Sequence, residues 1–222
     1  MSNVRNLRCI SCSAEYRSMP DTYVCPACGG VLDIEYDYGA IDGEAFVAGL
    51  SQPAAAPAPI WRYAELLPVE VGAPATLPRL AVGGTPLYRD TPLGRELGLA
   101  EVMVKDDGLN PTGSLKDRAS AVAVAAALQC GASTISCAST GNAASSCAGC
   151  AASSGMRSVI FVPQRAPQAK LVQLLAFGAV VVRVRADYAD VFILSAQAIA
   201  AHGWYNRNAA INPMMVEGKK TV

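Results

Sequence analysis

From residue 102 onward, short apolar runs alternate with longer stretches whose apolar positions recur at helical spacing. Strand-like runs fall at 102–105, 134–137, 159–162, 180–184 and 204–206, and helical stretches at 114–129, 142–154, 167–177 and 188–202. From 134 the apolar runs stand about two dozen residues apart with a helix between each pair, which is the pattern of βαβ units around a buried parallel sheet. The expected fold class is therefore α/β, a parallel sheet with flanking helices. Upstream, the run at 31–36 alternates apolar and acidic side chains and reads as a half-exposed strand. A Pro/Ala-rich stretch at 51–59 reads as an extended connector, followed by a short helix at 61–67. These patterns divide the chain into five segments: a cysteine-punctuated module (1–38), a connector and the start of a larger domain (39–82), a lysine-bearing segment of that domain (83–119), a small parallel α/β domain (120–212), and the start of a further element (213–222). The last segment has neither cap nor polar tail, so the sequence is expected to be the front portion of a longer protein.

Composition narrows the picture. Hydrophobic residues make up 52% of the 222 positions and charged residues 16%, too apolar for a disordered chain. Eighteen basic side chains balance eighteen acidic ones, leaving no field to attract nucleic acid or an anionic membrane surface. Between Arg118 and Arg157 no charge occurs, but Gly131, Gly141, Gly149 and Gly155 break that stretch into elements too short to span a bilayer. The N-terminus lacks the apolar core of a signal peptide, which predicts a cytoplasmic protein with reduced or metal-bound thiols. The single histidine, His202, precedes Gly203 and is expected to sit beside the last carbonyls of a helix.

Cys9 and Cys12, then Cys25 and Cys28, form two CxxC turns separated by twelve residues. Two such turns facing each other present four thiolates to one tetrahedral ion, a closed site suited to structural zinc. A redox dithiol pair or an iron–sulfur cluster is the alternative. Three arginines (Arg5, Arg8, Arg17) face five carboxylates (Glu15, Asp21, Asp33, Glu35, Asp37) in this module, the wrong balance for binding phosphate backbones. A structural or docking ribbon is expected. Cys147 and Cys150 also spell CxxC, but within a helical Ala/Ser stretch where buried cysteine acts as a small hydrophobe.

Lys116 lies in Asn110-Pro-Thr-Gly-Ser-Leu-Lys-Asp-Arg118, a loop turning into a helix, with Ser114 and Asp117 spaced as a weak capping box. An ammonium near the positive end of a helix is disfavoured, so this is a setting for a nucleophilic amine, or for one ordinary lysine in a charge cluster. Ser139-Thr140-Gly141-Asn142 follows a predicted strand and opens a helix. Such a turn offers hydroxyls and backbone N–H groups to a carboxylate or phosphate, or serves only as an N-cap.

Together with Gly83-Gly-Thr-Pro-Leu87, Asn212-Pro213 and Glu217-Gly-Lys-Lys-Thr221, these two sites resemble the threonine synthases among the fold type II pyridoxal-phosphate enzymes, over about residues 60–222. The resemblance implies a tryptophan synthase β-like fold, incomplete here and preceded by the zinc ribbon. It implies that Lys116 binds pyridoxal 5'-phosphate covalently and shuttles protons, that Asn142 contacts the 3'-oxygen of the cofactor ring, and that Ser139, Thr140, Gly141 and Asn142 grip the substrate. The implied activity is a lyase reaction in threonine biosynthesis, O-phosphohomoserine plus water giving threonine and phosphate. A homodimer is implied for a full-length chain. Leu115 replaces the family's usual phenylalanine, and Ala143 replaces a common threonine that could meet the substrate phosphate. The family's glycine–asparagine loop for the cofactor phosphate, and its later partner for the pyridine nitrogen, have no counterpart in these residues. A related β-replacement or elimination enzyme, such as a cysteate synthase, and a non-catalytic zinc-ribbon adaptor carrying a degenerate enzyme half are the other readings.

Overall fold

A computed structural model of the chain describes residues 3–17, 21–51, 60–72 and 74–222. The expected connector therefore falls mostly outside the described residues. Three sheets organise the rest.

The first is antiparallel and ordered β2-β1-β3, from β1 (Val4–Cys9), β2 (Glu15–Tyr16) and β3 (Leu32–Tyr36). In β3 the alternation does what the sequence suggests: Leu32, Ile34 and Tyr36 are buried while Asp33 is exposed. A helix α1 (Gly43–Ser51) follows, then a 3-10 helix at Trp61–Leu66, where a short helix at 61–67 was expected. The second sheet is a two-stranded antiparallel pair, β4 (Leu87–Arg89) with β5 (Met103–Lys105), connected through α2 (Thr91–Leu97). The run at 102–105 thus does form a strand, but it lies outside the parallel sheet. Leu87, Tyr88, Met103 and Val104 are all exposed on this pair.

The third sheet is parallel and ordered β8-β7-β6-β9, from β6 (Thr134–Ala138), β7 (Arg157–Pro163), β8 (Val180–Val184) and β9 (Tyr205–Asn206). Its helices are α3 (Lys116–Gln129), α4 (Asn142–Ser153), α5 (Gln168–Ala176) and α6 (Tyr188–His202). All five residues of β6 are buried, as the continuous apolar run requires for a central strand. α3, α4 and α5 share one core cluster, while Ala138, Val159 and Phe161 turn the other way onto Val191 of α6. α6 therefore covers the opposite face. The chain steps from β6 to β7 to β8 in one direction and then returns beside β6 as β9. That reversal is a topological switch point, and ligands of open α/β sheets bind in the crevice outside the carboxyl ends of the strands there. No helix among the described residues is long and apolar enough to cross a membrane.

Alanines 121, 123, 125, 126 and 127 of α3 are wholly buried. Small side chains on every face let neighbours approach closely, and α7 (Met214–Lys219) uses this. A Cβ on Gly218 would stand 2.3 Å from the carbonyl oxygen of Arg118 and 2.7 Å from Cα of Ala119. Gly218→Ala must push α7 off α3, and overpacking of this kind costs about 1–3 kcal/mol or more. Urea denaturation should show a lowered midpoint. An unchanged midpoint would mean that the contact is not held in solution.

His202 ends α6 as expected, but its ring stacks on Trp204 at 4.6 Å between centroids. Cys137, Cys147 and Cys150 are buried, in line with their role as small apolar groups, whereas Cys130 is exposed.

Candidate active site

The loop before α3 is held by its own backbone and by side chains from three motif segments. Asp106 accepts from the Gly108 amide at 3.1 Å and caps a 3-10 turn at Asp107–Leu109. Asn110 donates to the Asp107 carbonyl at 2.9 Å and accepts from the Gly83 amide at 2.9 Å, tying the Gly-Gly-Thr-Pro segment to the lysine loop. The capping box does not form as the sequence suggested. Ser114 Oγ accepts from the Lys116 amide at 3.3 Å, and the Asp117 carboxylate reaches back to the Thr112 amide at 2.7 Å and to the Thr112 hydroxyl. The turn at Pro111–Gly113 folds over the start of α3, so Thr112 is the nearer donor.

Behind the loop lies a buried ion pair. Arg118 grips Asp107 with Nε and Nη2, both at 2.8 Å, and donates through Nη1 to the Thr221 carbonyl at 2.6 Å. Thr85 donates to the same carboxylate at 2.5 Å. The Arg118 guanidinium holds the Asp107 carboxyl below its ordinary value; burial opposes this, and the Thr85 hydroxyl adds to it. One network therefore joins Thr85, Asp107, Arg118 and Thr221, drawn from segments far apart in the chain.

Lys116 emerges from this scaffold half-buried, and its side-chain amine makes no hydrogen bond or ion pair among the described residues. Asn142 opens α4 and is exposed; Ser139, Thr140 and Gly141 before it are half-buried. The turn is shaped by Ser139 Oγ, which accepts from the Gly141 amide at 3.2 Å, and by the Gly141 carbonyl, which accepts from Ala144 and Ser145. The amides of Asn142 and Ala143, the first two of α4, have no partner within the helix and can meet an anion. α3 and α4 pack directly on one another, placing Lys116 and Asn142 in one helical layer.

Two functional candidates escaped the sequence reading. Arg207, just past the carboxyl end of β9, is 2% exposed, and its Nε donates to Ser120 Oγ at 3.1 Å. Its Nη2 has no partner. Lys219 is half-buried at the end of α7; burial, and then the charges of Lys116 and Arg207, lower its pKa. Lys219 was visible in the Glu217-Gly-Lys-Lys-Thr221 motif, whereas nothing local marks Arg207.

The cysteine module brings its four predicted ligands together. The sulfurs of Cys9, Cys12, Cys25 and Cys28 all lie within 4.8 Å of one another, with Cys9 to Cys28 at 3.5 Å and Cys12 to Cys25 at 3.6 Å. Tetrahedral zinc with Zn–S bonds of about 2.3 Å requires sulfurs about 3.8 Å apart, so the donor set fits that ion. The second turn closes through the Gly29 amide to the Cys25 carbonyl at 2.8 Å. A Cβ on Gly30 would stand 2.8 Å from Ser11 Oγ and 3.1 Å from Cys9 Sγ, so the two turns meet closely at this glycine. The Tyr16 hydroxyl lies 3.1 Å from Cys25 Sγ, and its hydrogen bond is the main reason the Cys25 thiol falls to about 6. A thiol lowered in this way favours the thiolate that a metal needs.

Residues 78–222 match the family described as pyridoxal-phosphate dependent enzyme. The chain belongs to that family.

Among the relatives of this family member, the threonine synthase of Methanosarcina acetivorans is 38% identical over 218 residues, covering 98% of this chain and 51% of that protein. The threonine synthase of Methanocaldococcus jannaschii is 38% identical over 216 residues, 97% of this chain and 52% of that protein. The chain spans about half the length of the curated relatives it matches. Similar solved structures include diaminopropionate ammonia lyase from Escherichia coli, with a TM-score of 0.56 and 23% identity over 62% of this chain and 41% of that one. Maize serine racemase gives a TM-score of 0.55 and 21% identity over 60% and 41%. These two likenesses establish the fold.

The residues present fit the family's cofactor. An unpaired, half-buried amine is available at Lys116, an exposed amide side chain at Asn142, and a buried guanidinium with one unsatisfied nitrogen at Arg207.

Proposed function

We propose that this family member is a threonine synthase-type lyase that acts on O-phosphohomoserine and water to give threonine and phosphate. The observation that carries the reading is Lys116: an amine without a partner, at the start of a helix, in a loop clamped by three of the motifs shared with threonine synthases. Pyridoxal phosphate, when bound, supplies the electron sink that stabilises a carbanion at the substrate. Lys116 holds the cofactor and moves a proton at the substrate α-carbon. Asn142 hydrogen-bonds the ring oxygen. Ser139 and Thr140 orient the substrate carboxylate through their hydroxyls, and Gly141 through the backbone N–H groups at the start of α4. The roles of these residues, the zinc at Cys9, Cys12, Cys25 and Cys28, and the division into ribbon, lysine segment and small parallel domain belong to the same proposal.

Borohydride reduction in the presence of pyridoxal phosphate, followed by peptide mass mapping, tests the reading. The label should fall on Lys116 and be lost in Lys116→Ala. Label on another lysine, or undiminished label in the variant, would overturn it. Appearance of threonine with inorganic phosphate from O-phosphohomoserine separates this reaction from a β-replacement on a different phosphorylated amino acid.

A further inference from the structure

We propose that Tyr36 is a positioning residue: from the cysteine module its hydroxyl holds α7 in place, and through α7 it steadies the arginine clamp and the lysine loop. The mechanical part rests on the contacts below; only its consequence for the cofactor rests on the proposed function.

The reach begins at the cysteine turns. β1 and β3 pair with Cys9 opposite Leu32 at one end and Val4 opposite Tyr36 at the other. Four residue steps of strand, about 13 Å, thus separate the metal-ligand end of the module from Tyr36. There the Tyr36 hydroxyl donates to Glu217 of α7, across 181 positions of sequence. Lys220 lies 4.1 Å over the same ring. A second tyrosine of the module, Tyr23, docks in a similar way: its hydroxyl accepts from the Asn206 amide at 3.0 Å, and its ring meets Tyr205 edge-on at 5.6 Å between centroids. The two hydroxyls therefore land on β9 and α7, the two elements that bound the return of the chain to α3.

The Tyr36 contact is costly to lose because both partners are buried. Tyr36 is 6% exposed and Glu217 5%. A buried carboxylate depends on its charge-assisted hydrogen bonds, and loss of a donor leaves an oxygen uncompensated. Lys220 also pairs with Glu217, but it stands three positions along the same segment and moves with α7. The Tyr36 hydroxyl is the partner that ties this carboxylate to a different part of the chain.

From α7 the path to the lysine is short. Gly218, next to Glu217, sits against the backbone of Arg118 and Ala119. Thr221 accepts from Arg118 through its carbonyl at 2.6 Å and through its hydroxyl at 3.3 Å. Arg118 grips the Asp107 side chain, and the Asp107 carbonyl holds Asn110. Lys116 stands between Asn110 and Arg118 in the sequence, so a displaced α7 disturbs the loop that carries it. The coupling runs through a contiguous chain of packed and hydrogen-bonded groups.

Hydrogen exchange on the whole chain, purified with its metal, tests this without cofactor. Tyr36→Phe keeps the ring and loses the hydroxyl. Its amides at 214–221 and 106–118 should exchange about tenfold faster, the loss of one hydrogen bond to a charged group. Exchange in β6 and β7 should not change, and metal analysis should still find the zinc. Lys220→Gln, which approaches the same contact from α7, should speed the same two segments. Tyr38→Phe, at a side chain 67% exposed, should behave as the unaltered chain does. Unchanged exchange at 106–118 in either Tyr36→Phe or Lys220→Gln overturns the proposal. Loss of zinc from Tyr36→Phe overturns it too, since Tyr36 would then be a folding residue of the module. Reductive labelling reads the consequence at Lys116: in Tyr36→Phe the pyridoxal phosphate concentration for half-maximal label should rise about fivefold, with the same final amount of label. Absence of label at Lys116 in the unaltered chain would sink the proposed function, whereas faster exchange at 106–118 would still uphold the positioning role.

Discussion

Asp107→Ala is expected to destabilise the chain by about 3–5 kcal/mol, because it strips the carboxylate from a buried guanidinium. Arg118 is 1% exposed and its two contacts to Asp107 are both 2.8 Å, so the guanidinium loses both charge-assisted bonds at once. The damage should spread to the site: Arg118 also holds Thr221 and Thr85, and Asn110 links the same loop to Gly83. Denaturant unfolding measures the cost, and reductive labelling at Lys116 measures the displacement of the loop. A loss below 1 kcal/mol would show that the pair is solvated in solution. The pH dependence follows from the depressed Asp107 carboxyl. A depressed carboxyl adds stability above the ordinary aspartate value of about 3.9, and that stability is lost as the pH falls through the lower folded value. The difference between the unaltered chain and Asp107→Asn should therefore be constant near neutrality, shrink once the pH drops below about 4, and vanish in stronger acid.

The parallel sheet was legible in the sequence because its strands are buried on both faces and its helices separate them regularly. The runs predicted at 180–184 and 188–202 coincide with β8 and α6, and the other elements after residue 114 differ by one or two residues at an end. The small antiparallel strands were not legible, for a physical reason. β1 carries Arg5, Asn6 and Arg8 between its few apolar positions, and β4 exposes every side chain, so neither leaves an apolar rhythm. Their pairing depends on turns and on the cysteine knuckles. At the site, Lys116 and the Ser139–Asn142 turn announced themselves through local chemistry. Arg207 and the Asp107–Arg118 clamp did not, because their meaning lies in contacts across 87 and 103 positions, to Ser120 and Thr221.

Removal of the metal is expected to unfold the cysteine module while the parallel sheet persists. Four-thiolate zinc sites contribute about 10–16 kcal/mol in small modules, more than the ~3–5 kcal/mol that a core of this size supplies alone. Metal analysis should find one zinc per chain, and Cys25→Ser/Cys28→Ser should lose it. The consequence should reach beyond the module, since its strands are docked on the return segment of the chain. Tyr36 donates to Glu217, Lys220 lies 4.1 Å over the Tyr36 ring, and the Tyr23 hydroxyl accepts from the Asn206 amide at 3.0 Å. Those partners flank Arg207 and Lys219, so an unfolded module should leave α7 less firmly held on α3. Limited proteolysis after chelation should cut first within residues 3–36 and then near α7, sparing β6 and β7. If the chelated protein resists protease as well as the metal-loaded one, or the double variant keeps its zinc, the four cysteines do not hold the module together.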